Sequence, residues 1–310
     1  MRRALAAVAA VGMVVAAVAI RSALDDDEGS AGEDRARVIV CAEDLIDHCR
    51  ALGEDVEVRA ERAEDTAAAI QAGDLAEDVD GWITTSSWAE VLAARAPDAA
   101  EGVEAVASTP TTVATAPGRA DAIADLCRDR DPWECLGTVA GEAWADLGDG
   151  SHASWGTFDA GVTDPRSAVG LSVLASAAVG WFGGPDFAAN DLDAAFQDWL
   201  ALLADASAGD ADPARTMAVQ GGAAYSAAGT VAATAAQLEG RGVGTLVPAV
   251  EVDSVVVAIG LAEGRLPELD EMRRSLEDEG WATADEAPVP PTLAPGVMAA
   301  LLTVWKDVAS

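Results

Sequence analysis

The stretch WGTFDAGVTDPRSAVGL, residues 155–171, encodes a strand, a sharp polar turn and the start of a helix. Residues 157–162 are extended formers that predict the strand, Pro165 ends it, and Ser167 is placed to cap the apolar helix that follows. Amide groups at a helix start can hold a negatively charged or polar ligand. The turn therefore predicts a ligand contact, although an ordinary strand-to-helix connection explains the same residues.

Strands and helices alternate in the preceding part of the chain. Residues 38–41 predict a strand, residues 42–52 a helix, residues 56–58 a second strand and residues 63–72 a second helix. Residues 79–83 predict a third strand. Alternation of this kind predicts an α/β fold with a mostly parallel sheet, in which ligands bind beyond the carboxyl ends of the strands.

A second polar turn, TTSSW at residues 84–88, follows the third strand. Ser86 or Ser87 can cap the helix of residues 89–95, and Trp88 can form an aromatic wall. Capping needs only one hydroxyl, whereas this turn carries four hydroxyl residues in a row and a tryptophan. The turn indicates either a ligand site or a structural cap.

Two further extended segments predict how the halves of the chain are joined. Residues 103–116 are rich in β-branched residues and no helix follows closely, which predicts a strand connecting two lobes. Residues 252–259 contain VVVAI and predict a central strand.

Tyr225 falls at a predicted strand end, where its hydroxyl either points into a cleft or bonds to backbone. Further helices are predicted at residues 121–127, 133–144, 171–182, 192–203, 213–219, 267–280 and 296–308.

The charge of the chain narrows the choice of partner. It carries 53 acidic and 19 basic residues, for a formal net charge of −34. Such a surface repels nucleic-acid phosphates and anionic lipid headgroups, so neither is an expected partner. Solubility or a salty habitat explains the acid excess as well as any specific acidic function does.

An apolar run at residues 4–20 follows Arg2 and Arg3 and precedes acidic residues 25–28. The pattern predicts that residues 1–24 are a signal peptide or an N-terminal membrane anchor, followed by an acidic linker at residues 25–36. Residues 17–19 suit a signal peptidase, but the run is also just long enough to remain in the bilayer. Either outcome predicts that the bulk of the chain lies outside the cytoplasm.

The four cysteines form two close pairs, Cys41 with Cys49 and Cys127 with Cys135. Two local disulfides fit an exported protein, although four cysteines permit three pairings. A metal site is the competing interpretation, but the spacing is not that of a zinc ribbon and the chain has only two histidines. We therefore expect disulfides and neither a metal nor another cofactor.

The sequence contains no catalytic motif that would predict an enzyme. A Gly-x-Ser-x-Gly elbow, a His-Glu-x-x-His pair and a phosphate loop with lysine are all absent from the sequence. Paired carboxylates are uninformative in so acidic a chain, which leaves glycoside hydrolysis unsupported. No catalytic residue is predicted.

Taken together, four segments resemble the type II periplasmic (extracellular) solute-binding proteins, and most of all the molybdate-like branch and its actinobacterial secreted relatives. The segments are residues 38–41, 82–88, 164–171 and 252–259. The resemblance implies two α/β lobes joined by two hinge crossings that close on a ligand. It implies a first lobe of residues 37–110 plus 245–310 and a second lobe of residues 111–244.

The resemblance also implies a function. The chain is expected to be an exported protein that captures a small polar solute between its lobes and delivers it to the permease of an ABC-type transporter. A membrane-anchored extracellular sensory or interaction module with a degenerate cleft is the alternative, since an uncleaved N-terminal segment would hold the chain at the membrane.

The resemblance implies that ligand contacts come from helix starts and turns that face the cleft. The matching residues are Glu43, Asp44, Thr85, Ser86, Ser87, Trp88, Ser108, Thr109, Asp164, Arg166, Ser167 and Tyr225. The first turn departs from the oxyanion-binding pattern, because Glu43 and Asp44 stand where small hydroxyl residues are usual. Two carboxylates repel an oxyanion unless they turn outward to stabilise the helix dipole. An oxyanion, a cation-bearing solute and a neutral polar solute therefore all remain open.

Overall fold

The computed structural model describes residues 36–207, 210–261, 266–283 and 293–309. The predicted signal peptide or anchor of residues 1–24 and all but the last residue of the linker lie outside the described residues. Within the described ranges, no helix is long and apolar enough to cross a membrane.

The strands begin with β1 (Arg37–Ala42), whose apolar residues are buried from Val38 onward. The others are β2 (Val56–Glu61), β3 (Gly81–Thr85), β4 (Ala100–Thr115), β5 (Ala160–Gly161), β6 (Ala227–Val231), β7 (Gly244–Leu246), β8 (Asp253–Leu261) and β9 (Ala282–Thr283). Strands predicted at the start of the chain, at the long connection and at residues 252–259 are confirmed.

The helices begin with α1 (Ile46–Cys49), which is flanked by 3₁₀ turns at Glu43–Leu45 and Arg50–Leu52. The others are α2 (Ala63–Ala72), α3 (Ser86–Arg95), α4 (Ala120–Leu126), α5 (Pro132–Val139), α6 (Ala168–Phe182), α7 (Ala194–Ser207), α8 (Pro213–Gln220), α9 (Ala232–Leu238), α10 (Asp270–Asp278) and α11 (Pro295–Val308). All of the predicted helices therefore occur, with shifted ends.

Strand direction agrees with the predicted mostly parallel arrangement, although several individual pairs are antiparallel. The order is β2-β1-β3-β8-β4-β6-β5, and β7 and β9 also pair with β4. Strands β1 and β3 are parallel, and β8 is antiparallel to both β3 and β4, so β1, β3 and β4 run in one direction. Strands β5 and β6 are parallel, and β6 and β7 are both antiparallel to β4. Each end of β4 thus joins strands that mostly share one direction.

Strand β4 connects two groups of strands, as its sequence predicts. Up to Pro110 it pairs with β8, and from Thr111 it pairs with β6 and β7. We call β1, β2, β3, β8, β9 and the first part of β4 the first strand group, and β5, β6, β7 and the end of β4 the second strand group. The chain returns to the first group between β7 and β8.

Helix α6 packs against both strand groups. It contacts β3 and β8 of the first group and β6 of the second. Nearly all of its residues are apolar or small and most are buried, including Leu171 and Leu174. Two glycines permit close packing, since a Cβ on Gly170 would meet Asp164 O at 1.9 Å and one on Gly180 would meet Asp131 Oδ1 at 2.3 Å. One continuous hydrophobic core includes residues of α6 and of both strand groups.

Both predicted disulfides are present. Cys41 at the end of β1 is bonded to Cys49 in α1, and Cys127 after α4 is bonded to Cys135 in α5. The first bond joins the end of β1 to the second turn of the segment that follows. Each cross-link closes a short loop and so restricts the unfolded chain.

Three predicted elements differ from the structure. The strand of residues 157–162 shrinks to β5, because Val162 N donates to Ser207 Oγ at 2.6 Å instead of to a strand. The helix of residues 133–144 ends at Val139, where the extended Ala140 and then Gly141, with φ of 83°, interrupt it. The helix of residues 42–52 is divided into a short α-helix between two 3₁₀ turns.

Candidate functional site

The polar turn at residues 163–169 starts α6 as the sequence predicts. Ser167 Oγ accepts a hydrogen bond from Gly170 N at 3.0 Å and donates one to Asp164 O at 2.8 Å. The Asp164 carboxylate in turn accepts from Arg166, with Nε at 2.9 Å and Nη2 at 2.8 Å. Ser167 is therefore the N-cap of α6, and Arg166 already pairs with the turn's own carboxylate.

Asp44 supplies the remaining acceptors at the start of α6. Its Oδ1 accepts from Ala168 N at 3.2 Å and its Oδ2 from Val169 N at 2.8 Å. Together with the Ser167 cap, these bonds satisfy the first three amides of the helix. The amides that the sequence suggests for a ligand are thus bonded to side chains of the protein.

The position of Asp44 perturbs its ionisation. Desolvation by the surrounding protein raises the pKa of its carboxyl. The hydrogen bonds from Val169, Ala168 and Ser167 oppose the increase because they favour the ionised form.

The second polar turn contacts the same end of α6. Thr85 Oγ1 donates to Ala168 O at 2.7 Å, and Trp88 Nε1 donates to Ser167 O at 2.7 Å. The hydroxyls of Ser87 and Ser172 lie 3.0 Å apart and are buried. The two polar turns, 84–88 and 163–169, are therefore hydrogen-bonded directly to each other.

Two predicted roles in the second turn are wrong. Trp88 is only 1% exposed, so it packs in the core and forms no aromatic wall of a cleft. Helix α3 begins at Ser86, and its N-cap residue, Thr85, makes no side-chain capping bond; its hydroxyl donates to Ala168 O instead. Neither Ser86 nor Ser87 is the cap of this helix.

The predicted contacts later in the chain lie apart from the two turns. Ser108 and Thr109 are buried, and Thr109 Oγ1 accepts from Ala233 N at 3.2 Å at the start of α9. Tyr225 is buried just before β6. Burial, with the negative charge of Asp210 and a hydrogen bond to it, raises the pKa of Tyr225 to about 12.

A cavity of about 490 Å³ opens between residues of the two strand groups. We call it the interlobe cavity. It is lined by Glu43, Asp44, Asp47, Arg62, Ala63, Thr163, Asp164, Ser167, Val169, Ala211, Asp212, Arg215 and Thr234. Four of the sequence-predicted contacts are among them, namely Glu43, Asp44, Asp164 and Ser167.

The lining of the interlobe cavity is acidic. Five carboxylates, from Glu43, Asp44, Asp47, Asp164 and Asp212, face two guanidinium groups, those of Arg62 and Arg215. Asp212 pairs with Arg215 at 3.0 Å, Asp164 pairs with Arg166, and Asp47 pairs with Arg50. The excess carboxylates give the cavity a net negative charge that favours cationic groups.

Some lining residues escaped the sequence analysis although the sequence contains a signal for them. Arg62 lies directly after β2, at the carboxyl end of a strand, where ligands of such sheets bind. Asp212 precedes Pro213 and accepts from Arg215 N at 3.0 Å, which is a recognisable N-cap before a helix. The predicted strand ended at residue 58, so the strand-end rule identifies Arg62 only once β2 is seen to extend to Glu61.

A second cavity of about 400 Å³ adjoins the first, with which it shares Arg62, Asp164 and Ala211. It adds Arg166 and Lys306, the one lysine of the sequence, which pairs with Glu64. Both cationic groups that this second cavity adds are therefore paired with carboxylates, Arg166 with Asp164 and Lys306 with Glu64. Within the ranges that the structure describes, no three His, Cys, Asp or Glu side chains form a cluster that could hold a metal ion.

The fold is that of the two-lobe type II periplasmic binding proteins. The chain is similar to iron-bound HitA from Pseudomonas aeruginosa, with a TM-score of 0.56 and 15% identity over 89% of this chain and 100% of HitA. It is similar to the fructose-6-phosphate-bound periplasmic binding protein AfuA from Actinobacillus pleuropneumoniae, with a TM-score of 0.54 and 14% identity over 88% of this chain and 96% of AfuA. The ferric binding protein from Campylobacter jejuni gives a TM-score of 0.55 at 10% identity, over 88% of this chain and 99% of that one.

At these identities the similarity establishes the fold alone. No family model matches the sequence, and no curated protein matches it.

Proposed function

We propose that the protein is an exported solute-binding protein that captures a small polar ligand between two lobes and delivers it to the permease of an ABC-type transporter. The observation that carries the proposal is the interlobe cavity, whose lining comes from both strand groups. Its polar lining and size suit a small solute. The structurally similar proteins are binding proteins, which supports a binding role rather than a catalytic one.

The charge of the interlobe cavity supports a cation-bearing solute, such as an amine. Carboxylates outnumber guanidinium groups in its lining; Asp47, Asp164 and Asp212 pair with arginine, and Glu43 and Asp44 are the two carboxylates outside those pairs. Glu43 is exposed to solvent and free to meet an incoming cation. What the similar proteins bind is a property of those proteins, so iron and sugar phosphate enter the test only as probes.

We propose lobes of residues 37–110 plus 245–310 and of residues 111–244. The change of partner along β4, from β8 at Pro110 to β6 at Thr111, supports the first boundary. Pairing of β7 with β4 in the second strand group favours a return crossing just after Leu246, two residues beyond the proposed second boundary. Export and membership of the molybdate-like branch remain predictions from the sequence.

The test is a thermal-shift screen of the exported chain against polyamines, amino acids, oxyanions, sugars, ferric iron and fructose 6-phosphate. A cationic solute that binds the folded state is expected to raise the melting temperature. No increase with any cation-bearing compound would contradict the cationic assignment. No increase with any compound would contradict solute binding itself.

The variant Glu43→Gln locates the binding site. It removes one carboxylate from the interlobe cavity, and an exposed ion pair contributes about 0.2–1 kcal/mol, so affinity for a cationic solute is expected to fall by up to about fivefold. Calorimetric titration measures the change. Glu77→Gln is the matched control, because Glu77 is exposed and absent from the cavity lining, and it is expected to leave affinity unchanged. Equal effects of both variants would show that the solute does not bind in the interlobe cavity.

The second candidate function is a membrane-anchored extracellular module with a degenerate cleft. Direct bonding between the two polar turns favours it, because Thr85, Ser87 and Trp88 use their polar atoms on α6 and its N-cap. An intact N-terminus in membrane fractions, together with no ligand effect in the screen, would support this function. A cleaved, released chain would contradict it.

A further inference from the structure

Asp44 and helix α6 belong to different parts of the chain. Asp44 lies just after β1 of the first strand group, while α6 follows the polar turn after β5 of the second strand group. The Asp44 carboxylate nevertheless receives hydrogen bonds from Ala168 N and Val169 N, at 3.2 and 2.8 Å. The residues are 124 and 125 positions apart, so this contact is a tertiary one and not a local helix cap.

The geometry of the contact is that of an anion held at a helix N-terminus. Both carboxylate oxygens face successive amides of a long helix, where the amides and the helix dipole favour negative charge. Ser167 Oγ accepts a hydrogen bond from the next amide, that of Gly170. The position that a bound oxyanion would take is therefore filled by a side chain that also lines the interlobe cavity.

We propose that Asp44 is a specificity-determining residue that occupies the anion position of the cleft and thereby excludes anionic solutes. This inference rests on the proposed function, since it concerns what the same cavity accepts. An oxyanion entering beside Asp44 meets a carboxylate at close range and finds no free amide at the start of α6. A cation-bearing solute meets neither obstacle.

Replacing Asp44 should reverse this preference. In Asp44→Ala, the Ala168 and Val169 amides lose their acceptor and face the interlobe cavity. Inorganic sulfate or phosphate is then expected to bind at least about tenfold more tightly than to the wild type, because the amides become available and a repulsive charge is removed. Asp44→Asn keeps one acceptor oxygen, so we expect a smaller gain.

Asp47→Ala is the matched control. Asp47 also lines the interlobe cavity, but its carboxylate pairs with Arg50 and makes no bond to α6. The control removes the same charge without freeing the amides, and anion affinity is expected to stay within about twofold of the wild type. An equal gain in Asp47→Ala would overturn the proposal, because charge alone would then explain the selectivity.

Titration calorimetry and thermal shift with sulfate and phosphate provide the measurements, and circular dichroism checks that each variant is folded. A folded Asp44→Ala that gains no anion binding would show a purely structural role and overturn the proposal. So would wild-type protein that binds sulfate as tightly as the variant. If Asp44→Ala does not fold, Asp44→Asn decides by the same comparison, and absence of its expected gain overturns the proposal.

Failure of the proposed function gives a different pattern. A wild type that binds no cationic solute, beside an Asp44→Ala that gains sulfate binding, would contradict the solute assignment and leave the role of Asp44 supported. The reverse pattern would contradict only the role of Asp44.

Discussion

At the scale of single residues, the sole tyrosine has a partner that the sequence analysis did not consider, a side-chain carboxylate in place of a cleft ligand or the backbone. Tyr225 precedes β6, and its hydroxyl bonds to the carboxylate of Asp210 instead of facing the interlobe cavity. Desolvation and the nearby negative charges, of Asp210 foremost, raise the pKa of Tyr225 to about 12. Because a phenol ordinarily titrates near pH ~10, the folded state holds this proton more tightly than the unfolded state does.

We predict that the absorbance of tyrosinate in the folded protein rises with a midpoint near pH 12, and that Asp210→Asn lowers this midpoint. The stabilising contribution of the neutral tyrosine is complete below pH ~10 and is lost as the pH rises through about 12. Spectrophotometric titration measures the midpoint, free of other tyrosines because the sequence has only one. Asp125→Asn, an exposed change elsewhere, is the control. A wild-type midpoint near that of free tyrosine would contradict burial of the hydroxyl.

At the scale of secondary-structure elements, the small residues of α6 reflect how closely this helix packs against its neighbours. Its first turn lies against the backbone of Asp164, and Val173 lies against Gly229 of β6. Ser176 accepts a hydrogen bond from Trp133 Nε1 at 3.1 Å. Glycine and other small residues therefore occupy the points of closest approach, which makes the helix intolerant of added volume.

We predict that Gly170→Ala destabilises the protein by about 3 kcal/mol or more, because the new Cβ would lie 1.9 Å from Asp164 O and the backbone has to move. Gly296→Ala is the matched control. Gly296 is also in the first turn of a helix, α11, with no atom near its Cβ position, and the change there is expected to stabilise by about 0.5–1 kcal/mol. Urea denaturation measures both variants. An unchanged midpoint for Gly170→Ala would contradict the packing at the start of α6.

The sequence predicted most elements and part of the candidate site, and the reasons follow from the range of the interactions involved. Ser167 and α6 were predictable because capping and apolar periodicity are local. The bonds from the α6 amides to Asp44 and from Thr85 to Ala168 were not, because they join residues far apart in sequence and depend on how the two strand groups pack. Trp88 was misassigned for the same reason, since burial of an aromatic side chain is decided by distant neighbours.

At the scale of the whole molecule, the charge is the dominant feature outside the core. A formal net charge of −34 on one chain produces repulsion among exposed carboxylates that opposes the compact state. Local pairs such as Arg59 with Asp78 and Arg128 with Asp125 neutralise only a fraction of them, because the chain has too few basic residues. Counterions must screen the remainder.

We predict that the melting temperature rises as sodium chloride is added from low concentration to about physiological ionic strength, where the screening length is about 8 Å. Scanning calorimetry measures the increase. Sodium and potassium chloride at equal ionic strength provide the control, since screening should be the same for both. A melting temperature that falls with salt would show that attractive ion pairs outweigh repulsion between like charges.

Bonding between the polar turns at the start of α6 has a consequence for the apparent affinity of any solute that enters between the strand groups. Swinging the strand groups apart would break six hydrogen bonds together: the two that Asp44 accepts from α6, the one from Glu64 N to Arg166 O, and one each made by Thr85, Ser87 and Trp88. At about 0.5–1.5 kcal/mol net for each bond, this amounts to roughly 3–9 kcal/mol, so the open conformer is a minor population at equilibrium. Any measured dissociation constant for a solute that requires the open conformer then exceeds its intrinsic value by the inverse of that population.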